Sequence, residues 1–209
     1  MASEIEICNL ALDLAGTRTI VSLGDGSPEA QACQRLYPQA LLATLESSDW
    51  RFARARQALN RLAHAPASKE WRYTYQRPAK CLRARYIEPV SLRGHSVLDQ
   101  DRYSLQPTRQ TLHAPRFQVE GDTILTDLEE AVLVFTQRID EAGLLPALFV
   151  AAMAAYLGYR LATSLRADPD LALVLMRSHQ DALQHAAAAD LNEAHDPEDR
   201  QAEWVEARL

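Results

Sequence analysis

A chain of 209 residues holds one domain with room for an elaborated insertion, and at that size the core needs no disulfide or metal to stabilise it. With 47% hydrophobic and 24% charged residues it is not a disordered protein, and a net charge of −6 does not suit a dedicated nucleic-acid binder, whose surface is usually basic. Three cysteines, Cys8, Cys33 and Cys81, are an odd number at spacings that match no metal or redox motif. Cys8 and Cys33, in separate helical patterns, are expected as small buried hydrophobes, and the implied compartment is a reducing cytoplasm. The first residues, "MASEIEICNLAL", are acidic where a signal peptide is basic.

In chain order, Ser3 and Glu6 form a capping box that opens a helix with Ile7, Leu10, Ala11 and Leu14 as its apolar stripe and Gly16 at its end. "TRTIVSLGDG" reads as an extended linker turning at Gly24 and Gly26. Ser27, Pro28 and Glu29 are a second helix start, with cap, proline and acid in the order the helix dipole favours. That helix runs towards Leu45, and Pro38 inside it predicts a kink or break near Tyr37. After Trp50, "RFARARQALNRLA" reads as a basic helical segment reaching Ala65.

The period then changes to two. Trp71, Tyr73 and Tyr75 alternate with polar residues, and "CLRARYI" sets Leu82, Ala84 and Tyr86 on one face, which predicts two strands. Glu88 to Arg116 is polar, aperiodic and proline-containing, a long loop of the kind that carries function or moves. "FQVEGDTILTD" is a hairpin around Gly121, and "AVLVFT" is a nearly continuous apolar strand. Ala142 to Tyr159 carries no charge and reaches the lower length limit of a membrane span, but its alanines, Pro146 and the following Arg160 point to a buried core helix. Asp168, Pro169 and Asp170 open a last helix. The expected class is α+β: a mainly α-helical bundle core (3–65 and 144–192), an inserted small antiparallel β-region with a long loop (70–137), and an extended C-terminal tail (193–209).

No catalytic constellation emerges. "LGDGSPE" lacks the lysine and hydroxyl of a phosphate loop, and no zinc-protease or serine-hydrolase motif is present. His179 and His185 are six apart, which is not the spacing for two ligands on one helix face. No cofactor, metal or enzymatic activity is therefore expected. On a helix, Arg51, Arg54 and Arg61 would share a sector of about 80°. Such a group either contacts phosphate or pairs with acids of a neighbouring subunit. The first option supports an alternative reading, a helical regulatory or DNA-binding interaction module. Trp50 and Phe52, where helix gives way to basic segment, are expected as hydrophobic anchors on the helical core.

The order of motifs resembles the tail tubular protein A family, the head-to-tail adaptors of short-tailed bacteriophages and related prophages. The matching residues are Asn9, Ala11 and Leu12; Ile20, Ser22 and Leu23; Asp25; Ala32, Leu36, Tyr37 and Pro38; then Trp50, Phe52 and Ala53. The resemblance continues through "WRYTYQRPAKCLRARYI", where Arg77-Pro78 stands for the family's Leu-Pro, through "VEGDTILTD" and the alanine-rich helix, to Trp204, Glu206, Ala207 and Arg208. It covers nearly the whole chain except Glu88 to Arg116, and each motif is a packing signature rather than chemistry. The resemblance implies a non-enzymatic virion protein, assembled in the host cytoplasm, that forms a dodecameric ring between portal protein and tail nozzle protein. Double-stranded DNA would pass through that ring without specific binding, and an acidic subunit repeated around it would give an acidic lumen that repels phosphate.

The final stretch, "QAEWVEARL", puts Trp204, Val205 and Leu209 behind the polar "DLNEAHDPEDR", which cannot cover them. Folding back onto the parent domain is one way to cover them, but Trp204, Val205, Glu206, Arg208 and Leu209 are the expected interface with the portal or an adjacent subunit, since interface energy concentrates in such aromatic anchors. The loop from Glu88 to Arg116 and the hairpin at Gly121 are expected to face the tail side or a neighbouring subunit. Limited proteolysis of the free subunit should cut first between Val90 and Gln110, and protection of that stretch would count against this placement.

Overall fold

A computed structural model describes residues 2–64, 66, 68–88 and 115–192. Among them are four α-helices and two three-stranded antiparallel sheets, a mixed α+β protein. The long loop between Glu88 and Pro115 and the segment 193–209 lie outside the described residues.

Helix α1 (Glu4–Leu14) starts on the expected capping box: Ser3 Oγ accepts from Glu6 N–H at 3.2 Å, and Ser3 N–H donates to Glu6 Oε2 at 2.6 Å. It ends in a Schellman turn, with Thr17 N–H donating to Leu12 O at 3.0 Å and Gly16 at φ +66°. The buried stripe is Ile7, Cys8, Ala11 and Leu12, so the expectation for Leu10 and Leu14 is corrected: both are more than two-fifths exposed. The linker that follows is held by Asn9, whose side-chain amide donates to Ile20 O at 2.9 Å and accepts from Ile20 N–H at 2.8 Å.

Helix α2 (Pro28–Ser47) is capped by Ser27 and runs through Pro38 without the expected break. Its buried face, including Cys33, Leu36, Tyr37, Leu41 and Leu45, outweighs the roughly 3 kcal/mol that an internal proline costs. Ser48 leaves the helix in extended conformation. Here the expected helix from Arg51 to Ala65 is overturned, and with it the helical span to residue 65. Arg54–Ala58 is strand β1, followed by β2 (Tyr73–Gln76), β3 (Cys81–Ile87), β4 (Phe117–Glu120), β5 (Thr123–Thr126) and β6 (Val132–Gln137).

The reason lies in β6, whose nearly continuous apolar run makes it a central strand that needs a partner on each side. The first sheet has the order β1-β6-β3, with Arg54 opposite Thr136 and Ala58 opposite Val132. Irregularities in β3 between Cys81 and Arg83 and between Ala84 and Tyr86 break its alternation, so Cys81 and Ile87 are buried instead of one uniform face of Leu82, Ala84 and Tyr86. The second sheet has the order β2-β5-β4, and β4 and β5 form the expected hairpin across Gly121 and Asp122. Tyr75, Cys81, Ile87, Ile124, Leu133 and Phe135 fill a core of their own.

Helix α3 (Ala147–Leu161) packs against α1, α2 and α4 (Pro169–Asn192). The stretch Ala147–Arg166 is long and apolar enough to cross a membrane by length and composition alone, but Phe149, Met153, Leu157 and Leu161 are buried within the protein. A π-helical turn, Ala162–Arg166, and Ala167 in the left-handed region at φ +50° lead into α4, which is capped by Asp168. A Cβ on Gly158 would stand 3.1 Å from Ala11 O and 3.3 Å from Leu14 Cβ, so the glycine sets how closely α1 and α3 approach. Gly158→Val should cost about 1–3 kcal/mol by overpacking, read as a fall of several degrees in Tm. An unchanged Tm would show that α1 yields.

Candidate functional site

The residues that join the helices to the sheets carry the most interactions. Helix α2 has no basic residue in its last turn, and its C-terminal carbonyls are served from outside. Trp50 Nε1 donates to Thr44 O at 2.8 Å, Arg83 donates to Glu46 O at 2.8 Å, and Arg85 donates to Ser48 O. Arg85 also donates through Nε to Thr136 Oγ1 of β6 at 2.7 Å, and lies 3.6 Å from Asp49. Its burial pushes the guanidinium pKa down, and Asp49 opposes that shift.

Trp50 is 1% exposed. Its ring meets Phe149 of α3 edge-on at 5.1 Å and Phe52 at 5.8 Å, and Phe52 meets Phe149 at 5.1 Å. The three rings form a closed aromatic triangle, each contact in the tilted or edge geometry that the ring quadrupole favours. Beside it, Arg51 N–H donates to Asp190 Oδ2 of α4 at 2.7 Å, which ties the junction to the end of the last helix. Trp50, Phe52, Leu148, Phe149, Ala186 and Asp190 line a cleft of about 160 Å³.

The three arginines expected to share one helical sector do not, because their segment is not helical. Arg51 engages α4 through its main chain, and Arg54 pairs with Asp49 at 2.8 Å. Arg61 lies over the Tyr73 ring at 4.4 Å, with Glu129 at 3.7 Å. Trp204, Val205, Glu206, Arg208 and Leu209 lie outside the described residues.

Asp190, Arg83, Arg85 and Phe149 are the junction residues that sequence reading missed. Asp190 stands alone as an acid in the alanine run of α4, which is a signal; the arginines of β3 look like any solvated strand face. Among the described residues no group of three or more His, Cys, Asp or Glu side chains is placed to hold a metal. Buried His179 sits with Nδ1 2.8 Å from Ala152 O, bridging α3 and α4. Comparisons with protein-family profiles and with curated protein sequences found no match.

Tyr37 is buried, and its hydroxyl has no hydrogen-bond partner. Burial, with Glu4 and Cys8 nearby, pushes its pKa up to about 12. Below pH 10 the phenol is neutral in both folded and unfolded chains. Above that, the unfolded chain loses the proton first, so stability should fall as pH rises towards about 12. Tyr37→Phe should be neutral or stabilising at neutral pH and should flatten that alkaline decline in urea unfolding. At the junction, Trp50→Ala should cost about 3–5 kcal/mol, and Trp50→Phe less, because most of the ring packing survives while the bond to Thr44 O is lost. A Trp50→Ala variant that melts like the parent chain would show that the triangle is not a support.

Proposed function

We propose that the chain is a structural subunit of a head-to-tail adaptor: a ring that joins a phage portal to the tail nozzle and surrounds the DNA exit channel. The observation that carries this reading is the use to which the chain puts its motif residues. Asn9 holds the linker at Ile20, Asp25 braces the Ser27 cap, Tyr37 lies on the buried face of α2, and Trp50 closes the end of α2. The ordered resemblance is thus borne by residues that serve packing, as suits a protein whose work is assembly.

The outward surface supports the same reading. Leu148, Leu173, Val174 and Leu191 are each about half exposed or more, on helices whose inner faces already fill the core. Aliphatic surface of this kind on a chain built for a ring is what neighbouring copies would cover. On this proposal the helices form the bundle core, the two sheets are its insertion, and 193–209 is a docking extension with Trp204 as its anchor. The DNA-binding alternative rested on Arg51, Arg54 and Arg61 sharing a helical sector, and their segment is not a helix.

The test is co-sedimentation with purified portal rings. The full chain should pellet with the portal, and deletion of Gln201 to Leu209 should abolish this while leaving the subunit folded. Trp204→Ala alone should weaken attachment by ~2 kcal/mol or more, as for a hot-spot tryptophan. Binding by the truncated chain equal to that of the full chain would refute the docking role of the extension.

A further inference from the structure

Two exposed faces of the chain carry opposite charge. Helix α1 has no lysine, arginine or histidine, and one outward sector, about 100° wide, holds Glu6, Leu10, Asp13 and Leu14. Both leucines are more than two-fifths exposed. Among the described residues neither Glu6 nor Asp13 has an ion-pair partner. Arg166, the cation at the end of α1, is turned to Ala15 O and Gly16 O.

The opposite excess sits on the first sheet. Arg54 and Arg56 flank Ala55, and Arg83 and Arg85 flank Ala84; the alanines pack against the sheet core, so the arginines take the outer face. Arg85 reaches Thr136 there, directly opposite Arg54. Arg51 joins them at the margin, its carbonyl accepting from Arg54 N–H at 3.1 Å. Carboxylates are fewer. Asp49 is shared by Arg54 and Arg85, Glu88 pairs with Arg56 at 2.7 Å, and Glu46 lies near Arg85. Arg83 ends on a main-chain carbonyl, Glu46 O, and the buried Nε atoms of Arg51 and Arg54 have no partner. Burial lowers the pKa of Arg85, and the charges of Arg83 and Arg54 lower it further against the pull of Asp49. An incoming anion relieves such crowding of like charge.

The fit selects the anion. Glu6 and Asp13 are seven residues apart, about 10 Å along a helix. Strands β1 and β3 lie on either side of β6, also about 10 Å from each other. An α1 laid across the strands thus sets one carboxylate over each. Half-exposed Leu148 and partly exposed Phe52, next to Arg51, offer apolar surface for the two leucines. A nucleic-acid backbone fits less well, because Glu46, Asp49 and Glu88 stand among the arginines and repel a continuous line of phosphates.

We infer that the outer face of the first sheet docks α1 of a second copy of this chain, with Glu6 and Asp13 meeting Arg56 and Arg83. The two faces differ, so each copy offers one and receives the other, a heterologous contact that closes into a ring when the rotation allows. The inference rests on the ring of the adaptor reading and names the contact that builds it.

The test is sedimentation equilibrium of the full-length chain without portal. It should self-associate at about 0.05 M salt and about tenfold or more weakly at 0.5 M, where charges are screened. Asp13→Lys and Arg56→Glu should each weaken association about tenfold or more, with parental circular dichroism. Mixed in equal amounts, the two variants should regain a pair of parental affinity, because one keeps the sheet face and the other keeps α1. Should Arg56→Glu fail to fold, Arg56→Gln takes its place. A chain that stays monomeric up to its solubility limit overturns the inference. So does either variant associating like the parent, and so does a mixture no better than its parts, which would mean that like faces meet. Duplex DNA held by the parent and released by Arg56→Glu would give the basic face to phosphate instead. Complementation in a chain that ignores portal rings would uphold the contact and sink the adaptor reading alone.

Discussion

The end of α2 is the constraint on which the structure turns. A helix leaves its last carbonyls without partners, and one that stops inside a protein must find donors for them. This helix brings no lysine or arginine to its last turn. The donors come from the indole just beyond it and from two arginines of β3, more than thirty residues downstream. Two of these donors, and the residue that follows the indole, reach into different parts of the fold. Trp50 carries the aromatic triangle into α3, Arg85 continues to Thr136 on β6, and Arg51, next in sequence, holds α4 through Asp190. The first helix also lacks a basic residue in its last turn, but there the Schellman turn supplies backbone donors locally, and Arg166, 150 residues away, donates to Gly16 O just beyond the helix at 3.0 Å.

Two cores result, one among the helices and one between the sheets, with the junction between them. The sheet core is small and built from short strands. Its attachment through β3 and β1 to the end of α2 therefore matters to its stability. Polar groups at this joint are expensive to leave unpaired, which is why an arginine as buried as Arg85 is surrounded by a carboxylate, a hydroxyl and a carbonyl.

What could be read from sequence was local. Ser3 with Glu6, Ser27 and Asp168 act on N–H groups two or three residues away, so the helix starts are written in adjacent residues. The β4–β5 hairpin and the apolar strand β6 were legible for the same reason. β1 was not. Arginine, alanine and glutamine are good helix formers, and what makes "RARQA" a strand is the open edge of β6, almost eighty residues on. The α1 stripe was misjudged because Leu10 and Leu14 fit a helical period, yet α3 and α2 cover the neighbouring sector with Cys8 and Leu12. At the junction, Trp50 and Phe52 were visible as bulky aromatics at an element boundary. Their partners Phe149, Asp190, Arg83 and Arg85 were not, since no pattern in the chain couples residues so far apart.

The picture is of a chain whose distinctive residues are spent on holding a helical unit and a sheet unit together, with aliphatic side chains left on the outer helix surfaces. Such an arrangement suits the proposed role in assembly. The central claim is assembly, and electron microscopy of the full-length protein mixed with purified portal tests it most directly. The account predicts an added ring of density, coaxial with the portal and on its tail-facing side, into which copies of this fold can be placed with the exposed helix faces buried between them. Portal particles identical with and without the protein, at concentrations well above those of productive assembly, would contradict it.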